Sequence, residues 1–320
     1  MLNTLIIMLC AATTLPILSA QNNAHTSMCF SHNREFLARG LANKICVVSN
    51  VRYEVDPTYL NHKAKAAALE SLAFSPNDNF IASGDSTGVI RIWNSNSTQK
   101  VYSSHKLFNR RSRSSIKFVR FVGNYLLTLA KNKPGKAPVV KDCTTGKTVC
   151  KSSHKPHVIT GIESSSPHII MFSDQQRPYV WDIRTNKHIP GRTNKFTLVE
   201  TIGCHPTLPL VAVGYTPTCD GYEKIRIWNY AENKMLSCHS HKSRTDDGIT
   251  HITFDPQKYE YAFCADHKVI VVNAAVGTEK YHSKRSFEVP ALALTHNDET
   301  ILMGMKNGEI VRLMNRYKEL

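Results

Sequence analysis

Residues 69–94 read LESLAFSPNDNFIASGDSTGVIRIWN, and this stretch decides the fold. Apolar and β-branched runs alternate in it with the turn sequences Pro-Asn-Asp-Asn and Asp-Ser-Thr-Gly, a pattern that predicts short strands joined by tight turns. A related pattern recurs along almost the whole chain. One such unit cannot bury its own faces, so the units are expected to stack on one another and to share a core.

The length of the repeat can be measured because each unit ends on a short apolar strand followed by Asn, Asp or Ser. One residue of that strand serves as the anchor of each unit: Val48, Trp93, Lys141, Trp181, Trp228, Val272 and Met314. The anchors are 45, 48, 40, 47, 44 and 42 residues apart. A period of this length is typical of a four-stranded propeller blade.

Two other residue types repeat in phase with the anchors. A turn that ends in Lys follows five of them, at Lys100, Lys147, Lys187, Lys234 and Lys280. A histidine precedes most units, at His62, His105, His154, His241 and His282. The anchor, the lysine and the histidine thus recur with the same period, which a chance match at one position would not produce.

The anchors carry a family resemblance. Trp181-Asp182 is the signature dipeptide of the WD-repeat β-propellers, and Trp93-Asn94 and Trp228-Asn229 are close variants. The chain resembles that family from about Ser27 to Asn315, and seven units fit. The resemblance implies an all-β fold in which residues 25–320 form a single seven-bladed β-propeller of four-stranded antiparallel blades.

Some family positions are changed in this sequence. The family's repeat begins with Gly-His, whose imidazole typically joins a hydrogen-bonded set within the blade. The histidines are kept here, but the residues before them are Asn61, Ser104, Ser153, Ser240 and Tyr281. The family's Asp before the last strand is mostly missing, with Thr87 and Asn307 in its place. Some blades are therefore expected to depend more on apolar packing than on a polar network.

The charge of the chain is lopsided. Forty Lys and Arg residues stand against 25 Asp and Glu residues, which gives a formal net charge of +15. Such a surface favours acidic partners: an acidic protein, nucleic acid, anionic lipid or a sulfated glycan. Sequence signatures of RNA-recognition modules and zinc fingers are absent, so a nucleic acid remains the second choice of partner.

Positive charge is concentrated in the segments that lead into each repeat, which a propeller places at one end of the ring. These residues are the predicted partner-binding set: Lys63, Lys65, Arg110, Arg111, Arg113, Lys155, Arg192, Lys195, Lys242, Arg244, Lys284 and Arg285. The third unit adds Lys131, Lys133 and Lys136 from the loop before its third strand. Arg can engage phosphate, sulfate or carboxylate groups with two hydrogen bonds, so we expect a platform for anions.

The nine cysteines include no C-x-x-C pair, which argues against a zinc ribbon or a thioredoxin-type motif. Cys143 and Cys150 flank one turn, where they either face each other as a disulfide or pack as small apolar residues. The best group for a metal is Cys238, His239 and His241 with Asp246, Asp247 and His251. Its spacing matches no known type of site, so we expect neither a metal nor a cofactor.

The first 20 residues allow two interpretations. Leu5 to Leu18 is an uncharged apolar run, too short to span a bilayer and long enough for a signal peptide cleaved after Ala20. The protein would then be exported, to the periplasm or outside the cell. Alternatively, Thr4 to Cys10 form the strand that closes the last blade, and the protein stays in the cytoplasm. We expect export and no transmembrane segment.

Three functions remain after these observations. Serine-hydrolase elbows, phosphate-binding glycine loops and His-Glu-x-x-His helices are absent, so the chain is predicted not to be an enzyme. The first hypothesis is a non-catalytic scaffold that binds an acidic macromolecule through a basic loop face. The second is an intracellular adaptor associated with RNA or ribonucleoprotein. The third is an enzyme whose carboxylates or histidines converge on the mouth of the central channel.

Overall fold

The computed structural model describes residues 27–41, 44–50, 58–60, 69–96, 100–104, 115–130, 137–154, 159–166, 169–174, 177–191, 198–216, 222–242, 248–283, 291–294, 300–305 and 310–313. All regular structure in these ranges is β-strand. The strands pair into seven antiparallel sheets, six of four strands and one of three, and within each sheet neighbouring strands follow chain order.

Sheets one to four occupy the first part of the chain. The first comprises β1 (Met28–Phe30), β2 (Phe36–Leu41), β3 (Lys44–Asn50) and β4 (Thr58–Leu60). The second comprises β5 (Leu69–Phe74), β6 (Phe80–Asp85), β7 (Ile90–Asn94) and β8 (Lys100–Ser104). The third comprises β9 (Ile116–Val122), β10 (Tyr125–Ala130), β11 (Val139–Asp142) and β12 (Thr148–Lys151). The fourth comprises β13 (Ile159–Ser166), β14 (Ile169–Asp174), β15 (Arg177–Asp182) and β16 (Lys187–Pro190).

Sheets five to seven complete the order. The fifth comprises β17 (Val199–Cys204), β18 (Leu210–Tyr215), β19 (Tyr222–Asn229) and β20 (Lys234–Lys242). The sixth comprises β21 (His251–Phe254), β22 (Glu260–Ala265), β23 (Lys268–Asn273) and β24 (Glu279–His282). The seventh comprises β25 (Ala291–Leu294), β26 (Ile301–Gly304) and β27 (Ile310–Leu313).

The quoted stretch forms most of the second sheet, and its polar residues shape the turns. Ser75 Oγ accepts a hydrogen bond from the Phe80 backbone N–H at 2.9 Å, which closes the first turn. Asp85 Oδ1 accepts from the N–H groups of Thr87 and Val89, at 2.8 and 2.9 Å, which closes the second. Asp85 itself is buried beside Arg91. The turn is thus supported by a carboxylate, that of Asp85. It lies two residues before Thr87, the residue at the position where the family has its Asp.

Six of the seven anchors lie in the third strand of a sheet, at Val48, Trp93, Lys141, Trp181, Trp228 and Val272. Met314 follows β27 directly and lies outside the described residues. Trp93, Trp181 and Trp228 are buried, with 2, 0 and 2% of their surface exposed. The repeating lysines begin or directly precede the fourth strands, or lie one residue inside, as in β24. The predicted repeat is therefore seen in the strand pairing.

Among the described residues the core is divided into seven apolar clusters, each located between two sheets. Six clusters join consecutive sheets; for example, Ile90 and Ile92 of the second sheet pack with Ile116 and Val119 of the third. The seventh joins the last sheet to the first, where Ala293 and Leu302 pack with Met28, Phe30 and Leu37. The predicted all-β propeller is confirmed, with three rather than four strands described for the seventh sheet.

Strand direction alternates within each sheet, and this gives the ring two different ends. The strand ends between which the chain passes from one sheet to the next lie at one end, together with the ends joined between the second and third strands. We name this end the loop face. The first and third turns of each sheet lie at the other end, which we name the turn face. The basic segments singled out in the sequence lie, along the chain, between consecutive sheets or between the second and third strands of sheet three, so the strand ends that flank them are on the loop face.

The disulfide alternative for Cys143 and Cys150 is wrong. Cys150 lies opposite Val140 in the strand register, and both cysteines are free thiols. Cys143 packs into the cluster between the second and third sheets, whereas Cys150 packs into the cluster between the third and fourth. The two side chains thus point to opposite faces of one sheet and act as small apolar residues.

The N-terminal predictions fall on residues 1–20, which lie outside the described residues. Both interpretations, a signal peptide and a closing strand at Thr4 to Cys10, therefore stay predictions. No helical segment in the described part of the chain has the length and hydropathy that a membrane crossing requires.

Candidate functional site

The basic platform stays a prediction for the loop face, and one of its residues is described. Lys242 is the last residue of β20 and is exposed there. The other members lie outside the described residues: Lys63, Lys65, Arg110, Arg111, Arg113, Lys131, Lys133, Lys136, Lys155, Arg192, Lys195, Arg244, Lys284 and Arg285. The strands on either side of these segments end at the loop face. That the side chains of the segments bind a partner stays a prediction.

The surroundings of Lys242 mix histidine with one carboxylate. Nε2 of the neighbouring His241 lies 3.4 Å from Asp266 Oδ2, in the turn between β22 and β23. Burial lowers the pKa of His241; Asp266 opposes this shift, and the nearby His282 and His239 add to it. The rings of His241 and His282 are 6.1 Å apart, centre to centre. The repeat histidine of this blade therefore joins a polar contact, as the resemblance implied.

The turn face carries charges of both signs. Asp78, Asp142 and Asp182 lie in its turns or at the strand ends beside them, each accepting backbone hydrogen bonds. Lys147, Lys187 and Lys234 are exposed at the same end, at or next to the start of a fourth strand. Because these charges offset one another, the turn face resembles an ordinary solvated surface more than a platform for anions.

A cavity of about 420 Å³ lies in the middle of the ring. The first strands of all seven sheets contribute to its wall. Its ionisable lining includes Glu70, Lys117, Arg120, Glu163 and His251. The sequence interpretation missed this group, because the charges come from different first strands and are brought together only by the ring.

Arg120 crosses the channel wall and joins three first strands. Its Nε and Nη2 each lie 3.1 Å from Glu163 Oε1, on the fourth sheet. Its Nη1 donates to the carbonyl of Val119 at 2.9 Å and approaches that of Leu72, on the second sheet, at 3.5 Å. The guanidinium is thus held by partners from three sheets, which makes it a fixed part of the channel wall.

The channel also contains groups that burial keeps neutral. His251 has its pKa lowered to about 4, mainly by burial and further by the charge of Arg120. Burial raises the pKa of the Cys29 thiol to about 12 and that of Cys204 well above its usual range. At neutral pH the imidazole is therefore uncharged and both thiols keep their protons.

These properties decide what the channel can do chemically. A nucleophile needs a base within hydrogen-bonding distance, and among the described channel residues no thiol or hydroxyl is paired with His251 in this way. Glu163, the carboxylate best placed to act, is held by Arg120. The arrangement suits binding or structural support. Within the described ranges there is also no group of three metal-ligating side chains, and His251 lies in the channel wall, away from His241 on the outer strand β20.

Comparison with known proteins agrees with this architecture. Residues 57–94 match the model of the WD40 family, described as WD domain, G-beta repeat. A WD repeat-containing protein of Dictyostelium discoideum is 25% identical over 177 residues, which cover 53% of this chain and 34% of that protein. The match therefore spans about a third of the length of this curated relative.

Solved structures show the same fold over most of the chain. A chain in the crystal structure of the mitotic checkpoint complex superposes with a TM-score of 0.71 at 14% identity, covering 91% of this chain and 89% of that one. The computationally designed Ika8 protein superposes with a TM-score of 0.65 at 20% identity, covering 93% and 98%. Together, the repeat match, the related WD-repeat sequence and the shared fold support a WD-repeat β-propeller.

Proposed function

We propose that the protein is a non-catalytic scaffold that binds an acidic macromolecule through its loop face. WD-repeat propellers typically serve as scaffolds for protein interactions, so an acidic protein is the first choice of partner. The seven sheets act in this proposal as seven blades of one ring that spans residues 25–320. Each blade then presents its connecting segment at the same end.

The observation that carries the proposal is the way the sheets are connected. The fourth strand of every four-stranded sheet is followed by the first strand of the next, so each connection is on the loop face. The sequence of these connections is rich in Lys and Arg and poor in Asp and Glu, with Asp246 and Asp247 as the main exceptions. The described turn face shows no comparable excess of one sign. The asymmetry supports an anion-binding function for one end of the ring.

The third sheet provides the strongest part of this platform. The segment before β9 contains Arg110, Arg111 and Arg113, and the segment between β10 and β11 contains Lys131, Lys133 and Lys136. Both segments are attached to the loop face of one sheet. Two clusters on one blade raise the local potential more than scattered charges do, so an anion is expected to bind there first.

The experiment replaces Arg110, Arg111 and Arg113 together by Ser. We expect the variant to elute from heparin at lower salt than the wild type, because fewer cations contact the polyanion. In binding to single-stranded RNA, each lost contact should reduce the slope of the salt dependence by roughly 0.7. The control replaces Lys147, Lys187 and Lys234 by Ser, which removes three positive charges from the turn face. Equal elution of the wild type and the arginine variant, or an equal shift with the control, contradicts the proposal.

The same charges would also attract RNA, so the second hypothesis, an intracellular adaptor associated with RNA, must be tested as well. Binding of the wild type to single-stranded RNA and to poly-glutamate, an acidic polypeptide, each measured at several salt concentrations, separates the two partners. Tighter binding to RNA at matched salt favours the adaptor.

We also propose that the protein is exported after cleavage behind Ala20, because the uncharged run Leu5 to Leu18 has the length of a signal-peptide core.

A further inference from the structure

The first turn of the third sheet is shorter than the corresponding turns of four other sheets. Five residues join the first two strands of the first, second, fifth and sixth sheets, at 31–35, 75–79, 205–209 and 255–259. In the third sheet only Gly123 and Asn124 lie between β9 and β10. Gly123 has a φ of 58°, which a two-residue turn commonly requires.

The longer turns make contacts that the short one does not. Ser95, Tyr230 and Ala274 donate their backbone N–H groups to the carbonyls of Asn79, Pro209 and Tyr259, at 2.9, 3.0 and 2.8 Å. Each of these bonds ties the first turn of a sheet to its third. The corresponding residues in the third sheet are Cys143 and Asn124, and among the described residues no such bond joins them.

The long turns also touch the neighbouring sheet. The backbone N–H groups of His32 and Asn33, in the first sheet, donate to Asp78 of the second at 2.7 and 2.8 Å. The short turn of the third sheet leaves an opening on the other side of the second sheet. There a groove with a volume of about 370 Å³ lies between the second and third sheets on the turn face.

The floor of this groove is apolar. Phe80 and Ile92 of the second sheet and Phe121 and Cys143 of the third form it. Burial raises the pKa of the Cys143 thiol to about 12, and the charge of Asp142 adds to this, so the thiol stays protonated and acts as an apolar group. A surface of this kind gains most from a large apolar side chain.

The rim of the groove is polar and carries one negative charge. Asp142 Oδ1 accepts hydrogen bonds from the N–H groups of Thr144 and Thr145 and from the Thr145 hydroxyl, at 3.0, 2.6 and 2.9 Å. The Thr145 bonds lower the pKa of Asp142 most, so the carboxylate is ionised at neutral pH. Its Oδ2 has no hydrogen-bond partner among the described residues and can accept from a ligand. Asn77 and Asn124 add exposed amides beside it.

We propose that this groove binds a short peptide segment of a protein partner in which a large apolar side chain adjoins a Lys or Arg. The apolar side chain would occupy the floor, and the cation would pair with Asp142. Asn77 Oδ1 already accepts from Ser75 Oγ and the Asn79 N–H, so Asn77 offers its amide NH₂ as a donor, while the exposed amide of Asn124 offers both a donor and an acceptor to the main chain of the segment. Such groups favour a peptide over a purely apolar small molecule. The groove lies on the turn face, so this second site is independent of the basic loop face.

The charge of Asp142 can be removed without changing the turn that it supports. In the second, fifth and sixth sheets the equivalent position is Asn94, Asn229 or Asn273, and each accepts a backbone hydrogen bond within the following turn. Asp142→Asn is therefore compatible with the fold. The matched control is Asp182→Asn, which removes the same charge from the equivalent position of the fourth sheet, where Asp182 accepts from the Arg184 N–H at 2.9 Å.

The test begins with selection of a random peptide display library on the wild-type protein. We expect an enriched motif with a bulky apolar residue beside Lys or Arg. A synthetic peptide with that motif should bind Asp142→Asn about tenfold more weakly than the wild type, since a charge-assisted hydrogen bond is lost, and Asp182→Asn unchanged. Replacing the bulky residue of the peptide by Ala should weaken binding to the wild type at least as much.

Other results overturn the proposal. These are the absence of an enriched apolar–basic motif, equal binding of the motif to wild type and Asp142→Asn, or equal weakening by the two aspartate variants. Acidic peptides selected by the loop face do not count as support, because their binding should not depend on Asp142. The Ser variant of Arg110, Arg111 and Arg113 distinguishes the two sites, since it should keep the affinity for the apolar–basic peptide.

Discussion

The indole nitrogen of Trp181 donates a hydrogen bond of 2.9 Å to the side-chain oxygen of Asn186, five residues later in the chain. Trp228 makes the same contact with Asn233 at 3.3 Å. Both asparagines have a positive φ, 53° and 50°, in the turn before a fourth strand. One residue type thus satisfies the buried indole N–H and also tolerates the left-handed backbone of the turn.

Replacing Asn186 separates these two roles. We expect Asn186→Ala to lower the free energy of unfolding by about 1–2 kcal/mol, because it removes the indole's partner and strains the turn. Asn186→Gly should cost less, since glycine relieves the strain and loses only the hydrogen bond. Urea denaturation of both variants measures the difference. Equal losses would mean that backbone strain at this position is negligible.

Truncating the anchor itself should cost more. Trp181 is fully buried in the cluster between the third and fourth sheets, so Trp181→Ala is expected to lower the free energy of unfolding by about 3–5 kcal/mol. The control is Val276→Ala, at a residue with 67% of its surface exposed, where we expect a loss below about 0.5 kcal/mol. A loss below about 1 kcal/mol for Trp181→Ala in chemical denaturation contradicts a core role for the anchor.

The half-buried His251 in the channel wall should make stability depend on pH. Its pKa is lowered from 6.5 to about 4 in the fold, so the unfolded chain binds the proton more readily. The stability that its neutral form contributes is fully present above pH 6.5 and is lost as the pH falls to about 4, by about 3 kcal/mol. The free energy of unfolding of His251→Gln should therefore fall less than that of the wild type between pH 7.5 and pH 4.

An exposed histidine provides the control for this experiment. His267 lies in the turn between β22 and β23 with a φ of 59°, so Asn is a suitable replacement there. We expect the pH dependence of His267→Asn to follow that of the wild type. If His251→Gln also follows the wild type between pH 7.5 and pH 4, the imidazole is not held neutral by the channel.

The two interpretations of the N-terminus predict different behaviour of a protein that starts at Gln21. If residues 1–20 are a signal peptide, N-terminal sequencing of the purified natural protein should begin at Gln21, and the shortened protein should unfold cooperatively. If Thr4 to Cys10 close the last blade, the natural protein keeps Met1. The shortened protein should then aggregate through an open sheet edge, which size-exclusion chromatography would detect.

Much of the fold could be predicted because the repeat is read at several independent positions. The anchors at Trp93, Trp181 and Trp228 lie in equivalent third strands, since the strand alternation that buries them is local. The pairing of Cys143 with Cys150 could not be judged in the same way. Which face of a sheet a side chain occupies depends on the register, and one residue of offset reverses it.

The sites were harder to predict than the fold. The channel wall at Arg120 and Glu163 results from seven first strands meeting at one axis, which no single repeat reveals. The groove beside Asp142 did leave a signal, since the turn in Phe121-Val-Gly-Asn-Tyr125 is three residues shorter than the one in Phe74-Ser-Pro-Asn-Asp-Asn-Phe80. Comparing turn lengths between repeats, and not only their anchors, would have singled out the third and fourth sheets, in each of which two residues separate the first two strands.

Met28 and Phe30 of the first sheet pack against Ala293 and Leu302 of the last sheet, and this apolar seam closes the repeats into a ring that has no terminal unit. In an open repeat array, terminal repeats have one neighbour and can fray while the middle stays folded. Here every sheet has a neighbour on both sides. Separating one seam opens the ring but leaves every sheet attached to a neighbour. A sheet is released only when both of its seams separate. Loss of order at a single position is thus resisted by both neighbours, and the molecule is expected to hold together or come apart as a whole.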